Sequence, residues 1–149
     1  MDRVDAFKVI DAYVFGGLLD GPESLDVVSV AFVVDLPVEE VPWRARSAAL
    51  EALASLMRLD KVPVERVWRP ADWPVWNHVI VGAVRFWSRA DGIDEDVMAL
   101  LTQQRFGDLT GVGPPNRERY LEQLRVERDA SRRHLHHVLD RYHDREWQR

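Results

Sequence analysis

Histidines, acids and tryptophans are the side chains whose types and spacing could do chemistry in this 149-residue chain. His136, Asp140 and His143 fall at i, i+4 and i+7, so on a helix they share a face and could ligate a divalent metal. The plainer reading of the same three is a solvated helix surface. Trp68, Trp73, Trp76 and Trp87 lie within one short segment and could stack on a base or a sugar. Burial is their plainer use, because large aromatics are mostly inside. As a functional use, Trp73 and Trp76 are candidates for a partner surface, since Trp is enriched at binding hot spots. The chain has no cysteine, which removes disulfides, thiolate metal ligands and cysteine nucleophiles together. It also lacks a Gly-x-Ser-x-Gly elbow, a Walker loop, a His-Glu-x-x-His pair and a dinucleotide fingerprint. Hydrolase, ATPase, metalloprotease and oxidoreductase readings therefore have no support.

The elements that must position these residues can be read from hydrophobic spacing. Val4, Phe7, Val9 and Ile10 predict a short helix over Val4 to Tyr13, and Tyr13-Val14-Phe15 a brief strand that stops at Gly16-Gly17. Asp26 to Leu36 is a β-branched run with almost no polar break, as in a central strand buried on both faces. Pro37 and Pro42 close it, and Trp43, Leu50, Leu53, Ala54 and Met57 mark a helix reaching about Leu59. Val62 to Trp68 alternates as a third strand, with Pro63 pointing to an edge or to a strand start. Arg69 to Ile80 reads as a loop with a short helix, and Gly82 to Trp87 as a strand or a helix. Asp94 can cap a helix carrying Val97, Leu100 and Leu101. After the Gly111 to Pro115 linker, Asn116 can cap a long charged helix that runs almost to the C-terminus.

The glycine strand and the segment after it resemble the signature of the minimal nucleotidyltransferases. Tyr13-Val14-Phe15-Gly16-Gly17, then Gly21, then Asp26-Val27-Val28 match its apolar residue, glycine pair and downstream acid. The order of elements also agrees from Val4 to Trp87, and Gly82-Ala83-Val84-Arg85-Phe86-Trp87 looks like the family's closing strand. The resemblance implies that Gly16 and Gly17 let the backbone approach a triphosphate, and that Asp26 and Glu65 hold a divalent metal such as Mg²⁺. The chain departs from the pattern where the second acid is expected, because that position is Val28 and Ser29 could supply only a neutral oxygen. Efficient two-metal phosphoryl transfer is not expected of so reduced an acid set. No catalytic residue is assigned. A plain tight turn at Gly16-Gly17 is the alternative to any nucleotide site.

The last helix carries its own pattern. Leu121, Leu124, Arg128, Ser131, Leu135, Val138 and Tyr142 follow heptad spacing interrupted at Arg128 and Ser131. Such a face either packs on its own domain or reaches another chain. The hydrophobic fraction of 46% with 30% charged residues describes a globular chain rather than a disordered one. A net charge of −5, with arginines interleaved among acids, argues against general nucleic-acid binding. No apolar run is long enough to span a bilayer and the N-terminus lacks a secretory pattern, so a cytoplasmic protein is expected.

The expected fold is therefore α/β, a small mixed nucleotidyltransferase-like sheet over residues 1–110, with a linker and long helix over 111–149. The expected role is non-catalytic binding or regulation, of a partner protein in the antitoxin-like manner or of a nucleotide at Gly16, Gly17 and Asp26. A weakly active metal-dependent nucleotidyltransferase and a self-associating interaction module are the alternatives. Interface candidates are Trp73, Trp76, Leu121, Leu124, Leu135, Val138 and Tyr142.

Overall fold

The computed structural model describes residues 9–20, 27–41, 43 and 48–147. The strands are β1 (Val9–Phe15), β2 (Val28–Val34), β3 (Val64–Pro70), β4 (Val84–Ser88) and β5 (Gly92–Ile93). The helices are α1 (Ala48–Leu56), α2 (Glu95–Thr102) and α3 (Arg117–Trp147). The strands form one five-stranded sheet in the order β3-β2-β1-β4-β5. β2 and β3 run parallel, and the other neighbours are antiparallel. The α/β architecture with a mixed sheet and a long C-terminal helix is the one the residue pattern predicts.

β2 is the central strand expected from its β-branched run, and Val30 to Val34 are all buried. Its alternation divides the core. Val30, Phe32 and Val34 pack with Leu50, Leu53 and Ala54 of α1 on one face, while Ala31 and Val33 join Phe15, Val67, Val75 and Ile80 on the other. β3 is an edge strand, as Pro63 suggests. Its Arg66 pairs at 3.6 Å with Glu51 of α1, a partly exposed contact that contributes little to stability.

The helix expected over Val4 to Tyr13 is corrected for its described part, because Val9 to Phe15 is a single strand. The strand's register slips between Val9 and Asp11 against β2, and between Ala12 and Tyr13 against β4. A β-bulge breaks the period of two. Val9 and Ala12 then reach the same core at a spacing of three, which imitates a helical face. The short helix expected within Arg69 to Ile80 is also absent, since Arg69 and Pro70 complete β3 and residues 71–83 form an irregular segment.

Tyr13 is half-buried on β1, and burial is the main cause raising its phenol pKa above 10.0; Asp11 adds to the effect and Arg85 opposes it. A phenol with a raised folded pKa holds its proton more tightly than the unfolded chain does. Its contribution to stability is therefore complete below the unfolded value and is lost as pH rises through the folded one. Tyr13→Phe is expected to flatten the decline of the denaturation midpoint as pH rises above about 10. An unchanged decline in the variant would assign that alkaline loss to other groups.

Two caps form as expected. Asp94 accepts from the Val97 N–H at 3.1 Å to start α2, and Asn116 accepts from the Arg119 N–H at 2.8 Å to start α3. The segment before α3 is more than a passive linker, because the Val112 N–H donates to the Ala83 carbonyl at 2.8 Å. This bridge brings Gly111 so close to the Gly82 backbone that a Cβ at Gly111 would collide with it.

Candidate functional site

Gly16 and Gly17 follow β1 in a short 3-10 turn (Gly16–Asp20). Gly16 has φ +77°, a conformation that disfavours a side chain, so glycine is needed there for backbone reasons alone. Because β1 is antiparallel to β2, Phe15 lies opposite Ser29, and Ser29 is in register with Glu65 of β3. Gly16, Ser29 and Glu65 thus gather at the end of the sheet where β2 and β3 begin.

Strand alternation puts Val28, at the position of the second acid, on the opposite face of the sheet from Glu65. Ser29 and Glu65 share the parity of Ala31 and Val67, whereas Val28 and Val64 turn to the α1 side. Asp26 lies outside the described residues. Among the described residues no group of three His, Cys, Asp or Glu side chains could hold a metal, the His136–Asp140–His143 set included. Ser29 with Glu65 offers one hydroxyl and one carboxylate, which does not by itself fit the oxygen-rich shell of a hard cation.

A better-formed site lies at the opposite end of the sheet, beyond the carboxyl ends of β2 and β3. There the chain after β2 makes a 3-10 turn at Val38–Glu40, and the chain after β3 carries Trp73. α3 crosses this end, and a cleft of about 430 Å³ remains between them. Val38, Val41, Trp43 and Trp73 form one wall, and Ala130 and His134 of α3 belong to the other. In open α/β sheets, ligands bind outside the carboxyl ends of the strands. The volume is within the range of small-molecule sites, about 300 to 1,000 Å³.

Beside the cleft, a buried polar cluster holds α3 to the sheet. Arg69 of β3 is only 1% exposed, and its guanidinium meets the Glu127 carboxylate of α3 through both oxygens, at 2.6 and 3.2 Å. Arg69 also donates to the carbonyls of Pro74 and Trp76. Asn77 and Gln123 complete the shell by donating to Glu127 at 3.3 and 3.1 Å. No buried side-chain nitrogen or oxygen among the described residues lacks a partner. The guanidinium lies 5.7 Å from the Trp43 ring and 5.5 Å from the Trp73 ring, within cation–π range of each. Both of these rings also line the cleft.

Trp76 takes the buried reading of the tryptophan segment. It is buried against Tyr120 of α3, with ring centroids 6.4 Å apart, and Arg119 lies over it. It belongs to the contact between sheet and helix. Trp73 is half-buried at the cleft, and Trp68 packs on Phe32 at 5.3 Å. On α3, Leu124 is half-buried, while Leu121, Leu135 and Val138 are exposed, at 38%, 55% and 47%. The Tyr142 side chain lies outside the described residues. Arg69, Asn77, Gln123 and Glu127 escape a reading of the sequence alone. The signal that could find them is weak: two polar residues one turn apart on the side of α3 flanked by Tyr120 and Leu124.

The chain belongs to a family described as a domain of unknown function, DUF7711, whose family model matches residues 1–149. No curated protein and no solved structure matches it. Among the described residues, no helix is long and apolar enough to cross a membrane.

Proposed function

We propose that this member of the DUF7711 family is a non-catalytic binding protein on a nucleotidyltransferase-like core, working through the distal half of α3. The observation that carries the reading is the stripe of Leu135, Val138 and Leu139, exposed at 55%, 47% and 44%. These residues stand at helical spacing on one face, past the turn where Glu127 is buried against the sheet. At 31 residues α3 is about 46 Å long at the standard rise, more than its own sheet needs for cover. An apolar stripe that the described residues leave uncovered supports a surface for a partner.

The occupant we favour is the same stripe of a second copy. Sedimentation velocity across a concentration series is expected to show a reversible monomer–dimer equilibrium. Leu135→Glu with Val138→Glu is expected to leave a monomer of unchanged helix content. Monomeric sedimentation of the wild type at every concentration would remove self-association and leave a different protein as the partner.

A nucleotide at the glycine end of the sheet is a second reading, supported by the meeting of Gly16, Ser29 and Glu65 where β2 and β3 begin. The apolar Val28 supports a binding role there over phosphoryl transfer. Titration of nucleoside triphosphates with Mg²⁺, using Asp26→Asn and Glu65→Gln as controls, tests it. Absence of heat at millimolar nucleotide would exclude this reading.

A further inference from the structure

The geometry points to a binding site for a small planar anion, an aromatic carboxylate or an aryl phosphate, in the cleft between Trp43, Trp73 and α3. This inference is independent of self-association, because Leu135 and Val138 do not line the cleft.

The walls select the body of the ligand. Val38, Val41 and the two indoles present an apolar, largely aromatic surface, and a flat ring fits it best because stacking and edge contacts add to area burial. The wall is also firm. Val41 is buried, and Trp43 and Trp73 are held against Arg69, whose own position is set by Glu127 and two carbonyls. A preformed aromatic wall binds without a large ordering cost.

The α3 side selects the charge. Arg133, His134 and His137 border the cleft, with Ser131 among them as a hydroxyl donor. None of the three nitrogen-bearing side chains forms an ion pair or a hydrogen bond with another described residue, in contrast to Arg69. Glu39, next to Val38 on the opposite wall, is the one acid among the described lining residues. It disfavours an anion at its own side and so directs the charged group toward α3. Arg133 presents a planar fork of donors that matches a carboxylate or phosphate. The ring of the ligand would lie on the tryptophans, with its anionic group against the helix.

The test is calorimetric titration of the full-length chain with benzoate, indole-3-acetate and phenyl phosphate. Neutral indole and cationic tryptamine serve as comparators. The anions are expected to bind more tightly than indole, and tryptamine most weakly. Arg133→Gln is expected to weaken the anions about tenfold while leaving indole unchanged, as loss of one charge-assisted hydrogen bond implies. Trp73→Leu should weaken anions and indole together. Thermal melts confirm that each variant folds, and amide shifts at Ala130 and His134 on titration place the ligand.

No binding of any anion at millimolar concentration would overturn the proposal. Equal affinity for anions and indole, or indifference to Arg133→Gln, would overturn its charge assignment and with it the ligand class. Anion binding that appears only in the Leu135→Glu, Val138→Glu variant would assign the cleft to a second copy of the chain and overturn the small-ligand reading.

Discussion

Glu127→Ala is expected to destabilise the protein by about 3 to 5 kcal/mol, because it leaves the Arg69 guanidinium buried without its counter-charge. Arg69 is 1% exposed and Glu127 5%, so water cannot replace the lost carboxylate without opening the contact between sheet and helix. The same deletion also leaves the donors of Asn77 and Gln123 without their acceptor. Urea denaturation followed by tryptophan fluorescence measures the loss, and Trp43 and Trp73 beside Arg69 are among the reporters. Replacing both partners, Arg69→Met with Glu127→Leu, is expected to recover most of the stability, since a buried pair is costly to break and cheap to replace with apolar groups. If Glu127→Ala changes the midpoint no more than a surface substitution does, the pair does not hold α3 to the sheet. If the double variant is as unstable as the single one, the cluster's value lies in its hydrogen bonds to Pro74 and Trp76, not in charge neutralisation.

Ile80→Ala is expected to cost about 2 to 5 kcal/mol, the range for emptying a packed aliphatic site. Ile80 is fully buried although its segment has no regular structure. Its N–H and that of Val79 both donate to the Asn77 side-chain oxygen at 2.8 Å, which bends the chain and drives the Ile80 side chain into the core with Ala31, Val33 and Val67. The neighbouring Val81 is 70% exposed, and Val81→Ala should change stability by less than about 0.5 kcal/mol. Denaturant midpoints of the two variants, side by side, check the contrast. A similar small effect at both positions would mean that the 71–83 segment is not a structural part of the core.

Much of the fold is legible in the residues, and the differences have physical causes. β2 is readable because a strand buried on both faces needs apolar residues throughout. The caps of α2 and α3 are readable because Asp94 and Asn116 act on N–H groups three residues away, a purely local event. The first part of β1, before Tyr13, reads as a helix because its bulges change which residues face which core, and a bulge is set by the neighbouring strands. The 71–83 segment is not legible because its order comes from Asn77, Ile80 and the contact with α3, with no period of its own. The nucleotidyltransferase resemblance remains a proposal, and at its glycine end the parity of β2 and β3 puts Glu65 on the face away from Val28.

Local chemistry in the sequence determined the α/β class, the buried central strand, the glycine turn after β1 and the long capped helix. Each of these comes from side-chain periodicity or from a residue's own backbone preference. Only the tertiary structure decided that Trp76 is internal, that Arg69 and Glu127 are partners, and that Trp43 and Trp73 face α3 across a cleft. Those residues are separated by long stretches of chain. Their meeting depends on the direction in which α3 crosses the sheet, and that is settled by packing and by satisfying one buried charge.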